Sequence, residues 1–275
     1  RTIIVTHCED TPTVMANEAA AREKYGEAIP IHEHPHIRSR EACLKSSTLA
    51  VELARKHGTR LHVLHLTTAD ELRHFSAGPL DDKQITVEAC VHHLYFSAED
   101  YADKGALIKC NPAIKTAADR EALRQAVAED RIDVIATDHA PHTWEEKHAG
   151  NYFNEPAGLP LVQHAVPMAL ELVHDGVLGL EKAVEKLSHG PARMFGVQER
   201  GYLREGWFAD LILVDMDNPQ MVRKEDVLYK CGWSPLEGRR LRSRILKTFV
   251  NGDLAYDEGV FAAQPVGQRL RFRPA

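Results

Sequence analysis

Short apolar runs alternate with longer amphipathic stretches through about residue 200. Residues 3–6, 61–66, 85–91 and 134–137 are apolar and rich in β-branched side chains, and they read as buried strands. Residues 106–110 read as a further short extended piece. Helical patterns lie between them. Arg40–His57 has Ser39 placed as N-cap, Ala42, Ala50, Leu53 and Ala54 along one side, and Gly58 just past its end. Thr116 opens a helix running to about Glu129, and shorter helical turns follow Thr68 and Ser97. Residues 8–35 read as a polar loop, and residues 159–196 as mostly helical. From Gly201 the texture changes to short strands, at 211–214 and 245–250, and Asn251-Gly252 suits a type I′ hairpin turn.

Strands alternating with helices predict βαβ units and an α/β fold with a parallel sheet. His7, His65, His92-His93, Asn111 and Asp138 follow the C-terminal ends of the predicted extended segments. Active sites of (β/α)8 barrels and open α/β sheets are built at that end. A complete barrel takes about 250 residues. With four or five strands in about 200 residues, this one is short by three or four units. The chain also enters a strand directly from Arg1, and we expect it to be a piece of something longer.

Composition narrows the chemistry. The 275 residues carry 34 Lys+Arg against 40 Asp+Glu, with no basic stripe, so nucleic acid is not an expected partner. No apolar run approaches the roughly 20 residues that span a membrane, and no signal-peptide pattern opens the sequence. Five cysteines without a C-x-x-C pair read as reduced, buried thiols of a cytoplasmic protein. Histidine, at 16 residues, is the outlier.

His7, His65 and Asp138 each close a different predicted strand, so in a closed parallel barrel they would converge on one mouth. A single such histidine is more often structural. Three groups at equivalent strand ends suit zinc, which accepts neutral imidazole and carboxylate and keeps a position open for water. Asp138, within Thr137-Asp138-His139-Ala140-Pro141-His142, can take a proton from water and pass it to a leaving nitrogen. His92-His93 reads either as support behind the metal ligands or as a packed pair. His34-Pro35-His36-Ile37-Arg38 matches H-x-H-x-R literally, but it contains a proline and has no strand in front, so it reads as the loop before the Ser39 cap.

Four blocks occur in order: Val5-Thr6-His7-Cys8-Glu9-Asp10, Leu64-His65-Leu66-Thr67-Thr68-Ala69, Lys109-Cys110-Asn111-Pro112 and Thr137-Asp138-His139-Ala140-Pro141-His142. Together they resemble the amidohydrolase superfamily, and within it the dihydroorotases. Gly201-x-Leu203-x-x-Gly206-x-x-Ala209-Asp210-Leu211 resembles the small β-domain beside such barrels. The resemblance implies the C-terminal portion of a TIM-like, metal-dependent hydrolase barrel at residues 1–200, without its N-terminal strands, and a small β-rich domain segment at 201–275. By motif position it implies His7 and His65 as ligands of one ion of a binuclear zinc site. Asp138 would be the ligand of the other ion and the catalytic base and acid. Asn111, His142, Ala157 and Gly158 would contact substrate, His142 at its carboxylate. The family's H-x-H-x-R, a substrate asparagine and the bridging ligand would lie upstream of His7.

The activity implied is zinc-dependent, reversible hydrolysis of L-dihydroorotate to N-carbamoyl-L-aspartate in pyrimidine synthesis. The family further implies a homodimer, with aspartate transcarbamoylase as a candidate partner. A dihydropyrimidinase, hydantoinase or allantoinase shares the ligands, and His142 tips the reading toward dihydroorotase. A non-catalytic scaffold subunit is the alternative from another class. Taken by itself, the 275-residue segment is expected to be inactive and poorly soluble.

Overall fold

The computed structural model describes residues 2–273. Strands β1 (Ile4–Thr6), β2 (Leu61–Val63), β3 (Ile85–Cys90) and β4 (Val134–Ala136) lie side by side in that order, all parallel. This is the arrangement of consecutive units of a (β/α)8 barrel. Leu61, Val63, Val87 and Ala89 join the hydrophobic core shared with Val51 and Leu123 of the flanking helices. Alternation along a strand sends the neighbouring residues to the other face. There His62 meets the Thr86 hydroxyl through Nδ1 (2.9 Å) and the Glu88 carboxylate through Nε2 (3.0 Å).

The Arg40–His57 helix forms as its caps predict. Ser39 accepts the Ala42 amide at 3.2 Å, and Gly58 takes a left-handed φ of +62°. Its buried side is Ala42, Cys43, Ser47, Val51 and Ala54, whereas Leu53 is exposed. Three expectations change. The supposed polar loop contains a 15-residue helix, Thr11–Tyr25, capped by Asp10, which accepts the Thr13 amide at 3.1 Å. Only Val14 and Ala21 of this helix are buried, so it lacks an apolar stripe, and good helix formers, four of them alanine, carry it. Residues 106–110 are no strand: Gly105–Ile108 is a 3₁₀ turn that buries Ile108 completely. Finally, the expectation that β1 is buried fails: Ile4 and Val5 are 55% and 47% exposed, on a strand at the edge of the sheet.

Asp119 ties this half together. It caps the Ala117–Ala128 helix through the Thr116 hydroxyl (2.7 Å), accepts the Ala69 amide (2.9 Å) and pairs with Arg40. Burial alone would raise its pKa, but the Ala69 amide, Thr116 and Arg40 outweigh it and hold it below the ordinary Asp value. The resulting stabilisation is present above the unfolded-state pKa and is lost as pH falls through the lower folded-state value. Asp119→Ala is expected to cost about 2–3 kcal/mol, discounted for the exposure of Arg40. It should also flatten the acid side of a plot of Tm against pH. An unchanged acid limb would show that Asp119 does not contribute this term.

Beyond Ala165–His174, the segments Leu180–Val184, Glu185–His189 and Gly190–Met194 run on as helix with a π turn in the middle. A Cβ on Gly190 would sit 3.1 Å from Val134 Cγ1, so glycine permits the close approach to β4. Leu211–Asp215, Arg244–Val250, Asp253–Asp257 and Val260–Phe261 form an antiparallel sheet. Asn251 and Gly252 have φ of +58° and +92°, the signs a type I′ turn requires. A ribbon of Gln220–Met221 and Arg240–Leu241 intervenes, and Val222, Leu236 and Leu241 beside it join the main core. No helix among the described residues is long and apolar enough to cross a membrane.

Candidate active site

The chain leaving β1 and the chain leaving β2 each carry a histidine, and the two meet. His7 Nδ1 lies 2.9 Å from His65 Nε2, with ring centroids 4.7 Å apart and planes at 85°. His65 is buried and has a φ of +68°, uncommon for a residue with a side chain. Burial, then the proximity of His7, pushes its pKa down to about 4, so the ring is neutral at pH 7. Two nitrogens at this separation are satisfied only by a shared proton or by a cation. On the far side of His7, Nε2 meets Glu9 Oε2 at 3.0 Å, and Arg38 Nη1 reaches the same oxygen at 2.5 Å. Burial of Glu9 would raise its pKa, but the His7 bond and the Arg38 charge lower it, so it is an ionised acceptor.

Asp138 stands two residues beyond β4 with a φ of +46°. It is exposed at the mouth, with protein on its remaining sides. Loss of water on those sides raises its pKa from the ordinary Asp value, and His7 pulls it partly back. Two imidazoles whose nitrogens converge, plus a carboxylate at the same sheet end, are a donor set that zinc accepts. The carboxylate does not close on the two rings as tightly as they close on each other. Among the described residues, the three-residue set with ligand atoms all within 4.8 Å is Cys90, His92 and His93. That set is wholly buried, and burial pushes the Cys90 thiol well above its ordinary pKa. His93 Nε2 donates to the Pro112 carbonyl at 3.1 Å, and the rings of His92 and His93 lie 4.0 Å apart. Both His92 nitrogens and His93 Nδ1 are buried with no hydrogen-bond partner among the described residues.

The residues assigned to substrate gather on three loops joined by their backbones. The Gly158 amide donates to the Lys109 carbonyl at 2.8 Å, and the Ala140 amide to the Leu159 carbonyl at 3.1 Å. Lys147 sits among them, 1% exposed, with Nζ donating to the carbonyls of Lys109 (3.4 Å), Pro156 (2.8 Å) and Gly158 (3.1 Å). Lys109 holds the same segment from the other side through the carbonyls of Tyr152 and Glu155. Burial pushes both lysines down to about 8, which leaves them mostly protonated at neutral pH. Gly158 packs so closely that a Cβ there would lie 2.3 Å from the Ala140 carbonyl oxygen and 3.2 Å from His142 Cδ2. His142 keeps a free carbonyl for Trp233 Nε1 (2.8 Å) and faces Glu146 at 3.4 Å. Ala157 adjoins Gly158 in this loop, and the Asn111 side-chain oxygen is buried with no hydrogen-bond partner among the described residues.

The His34–Arg38 stretch is not the open loop expected. His34–Ile37 is one helical turn, and the buried His34 contacts the Tyr152 hydroxyl and donates to the Cys110 carbonyl, each at 2.8 Å. Both ring nitrogens are thereby occupied. The sequence gives no individual role to Glu9, Arg38, Lys109, Lys147 or Trp233. The H-x-E spacing of His7 and Glu9 was an available signal, whereas Lys147 is hidden in the charged run Glu145-Glu146-Lys147-His148.

A parallel α/β sheet with histidines and an aspartate at its strand ends defines a class of barrel hydrolases, and sequence comparison agrees. The pattern of the Amidohydrolase family matches residues 4–255, and the chain belongs to that family. Curated relatives include the dihydroorotase of Pyrococcus furiosus, 33% identical over 261 residues that cover 95% of this chain and 58% of that protein. The dihydroorotase of Halobacterium salinarum is 34% identical, covering 86% of this chain and 53% of that protein. An allantoinase of Bacillus velezensis is 32% identical, covering 84% and 51% respectively. The chain thus spans a little over half the length of these relatives. Among solved structures, the L-hydantoinase of Arthrobacter aurescens superposes with a TM-score of 0.88 at 23% identity, covering 96% of this chain and 59% of that one. This last likeness concerns the fold.

Proposed function

We propose that this chain carries part of the active site of a zinc-dependent dihydroorotase, which opens the cyclic amide of L-dihydroorotate to N-carbamoyl-L-aspartate and closes it in reverse. The observation that carries the reading is the His7–His65 pair, nitrogen to nitrogen at 2.9 Å, with Asp138 at the same end of the sheet. Several relatives named as dihydroorotases support the choice of substrate.

Zinc, when bound, supplies Lewis-acid polarisation of the amide carbonyl and a nucleophile at neutral pH. In ring opening the carbonyl–nitrogen bond breaks and water's oxygen joins the carbonyl carbon. Asp138 takes the water proton on a carboxylate oxygen and delivers it to the departing ring nitrogen, a task its raised pKa suits. His142 and Asn111 hold the substrate's polar groups, and the backbone at Ala157 and Gly158 walls the ring. In this reading residues 1–200 carry the mouth and 201–275 the flanking β-rich part, with Trp233 reaching back to steady His142.

The test is hydrolysis by the full-length zinc-loaded protein of L-dihydroorotate, allantoin and a hydantoin side by side. We expect kcat/KM for dihydroorotate to exceed the others by at least ~100-fold, as a pocket built to pair a charged group rejects ligands lacking it. Preference for allantoin or a hydantoin would replace the substrate and keep the class. Absence of turnover on all three would remove the enzymatic reading.

A further inference from the structure

The motif His34-Pro35-His36-Ile37-Arg38 and the residue two beyond His7 meet at one point. We propose that Glu9 is the positioning residue that makes His7 a metal ligand through Nδ1, and that Arg38 holds Glu9 in place. This rests on the reading of His7 as a zinc ligand.

An imidazole has two nitrogens, and which one binds a metal is set by what the other meets. An ionised carboxylate can only accept, so Glu9 Oε2, 3.0 Å from His7 Nε2, fixes the proton there. The lone pair is then left on Nδ1, the atom that faces His65 Nε2 at 2.9 Å. His7 itself is 41% exposed and could otherwise turn its ring, whereas the Glu9 side chain is 2% exposed and cannot move without its neighbours.

Glu9, in the connection after β1, is in turn held from outside its own segment. Arg38 Nη1 lies 2.5 Å from the oxygen that His7 uses. Arg38 follows a helical turn that is pinned at both ends. His34 is buried between the Tyr152 hydroxyl and the Cys110 carbonyl, and the Ile37 carbonyl accepts from Asn17 Nδ2 at 3.1 Å. The other carboxylate oxygen, Oε1, is buried with no partner among the described residues. A carboxylate kept only to hold the fold would be expected to use both oxygens. Here both partners crowd onto the oxygen that addresses His7.

The experiment strips the full-length protein of metal and measures zinc affinity by competition with a chromophoric chelator. Wild type is compared with Glu9→Ala, Glu9→Gln, Arg38→Met and the Glu9→Ala/Arg38→Met double variant. Loss of a group that orients a ligand weakens metal binding by ~10–100-fold. That is the expectation for Glu9→Ala, with a smaller, ~3–10-fold loss for Glu9→Gln and Arg38→Met. The double variant should bind no more weakly than Glu9→Ala alone, because Arg38 acts through Glu9. The isosteric Glu9→Gln keeps the comparison available if Glu9→Ala does not fold. A drop in metal-free Tm for Glu9→Gln with zinc affinity within twofold of wild type would make Glu9 a structural carboxylate and overturn the proposal. Full additivity of the Glu9 and Arg38 losses would remove Arg38 from it. Because zinc affinity is read without substrate, a protein that prefers allantoin refutes the substrate assignment and leaves this result standing. A wild type that binds no zinc overturns both.

Discussion

Asp138→Asn in the full-length protein is expected to abolish ring opening, lowering kcat by at least ~10³-fold, because under the proposed mechanism it removes the group that would carry the proton between water and the leaving nitrogen. The amide is nearly the same size and Asp138 lies at the exposed mouth, so Tm should stay within about 2 °C of wild type. The two measurements together separate chemistry from folding. If proton transfer is the cause, dihydroorotate binding to the variant should survive while turnover vanishes. A variant retaining a tenth of wild-type kcat would strip Asp138 of this role.

Gly158→Ala is the second large effect. The backbone there has φ of +138°, a region that residues with a side chain rarely enter, and the new methyl would start 2.3 Å from the Ala140 carbonyl oxygen. Relief requires the 140–159 pairing to part and displaces the His142 ring packed against Gly158. We expect a loss of about 3 kcal/mol in stability, from backbone strain and the displaced hydrogen bonds. KM for dihydroorotate should rise ~10-fold or more, as a misplaced contact loses binding that depends on close fit. Unfolding in denaturant gives the first number and steady-state kinetics the second. An unchanged KM would show that the Ala157-Gly158 backbone does not touch the substrate.

Much of this architecture was legible beforehand, and the failures have physical causes. The β2 and β3 strands and the Arg40–His57 helix were found because burial imposes a period and caps mark the ends. Thr11–Tyr25 was missed because a helix with two buried residues leaves almost no apolar period to detect. Residues 106–110 read as a short extended piece rather than the Gly105–Ile108 turn because a continuous apolar run looks the same in either state. At the mouth, His7, His65 and Asp138 were visible because strand ends are where such folds place polar chemistry. Lys147 and Trp233 were invisible, since a lysine among glutamates reads as surface and only the folded chain shows it enclosed. Arg38 sits in a motif dominated by its histidines, and its partner Glu9 lies 29 residues upstream.

The enclosed ammonium of Lys147 has a mechanical consequence. By tying the carbonyls of residues 109, 156 and 158 to one atom, it makes the loops proposed to wall the substrate a single unit rather than independent flaps. Under that proposal such a unit would discriminate by shape, admitting rings that fit and refusing those that would require it to flex. A protein seeking to trade one cyclic amide for another would then need to reshape the whole wall together, because no one loop is free to drift alone.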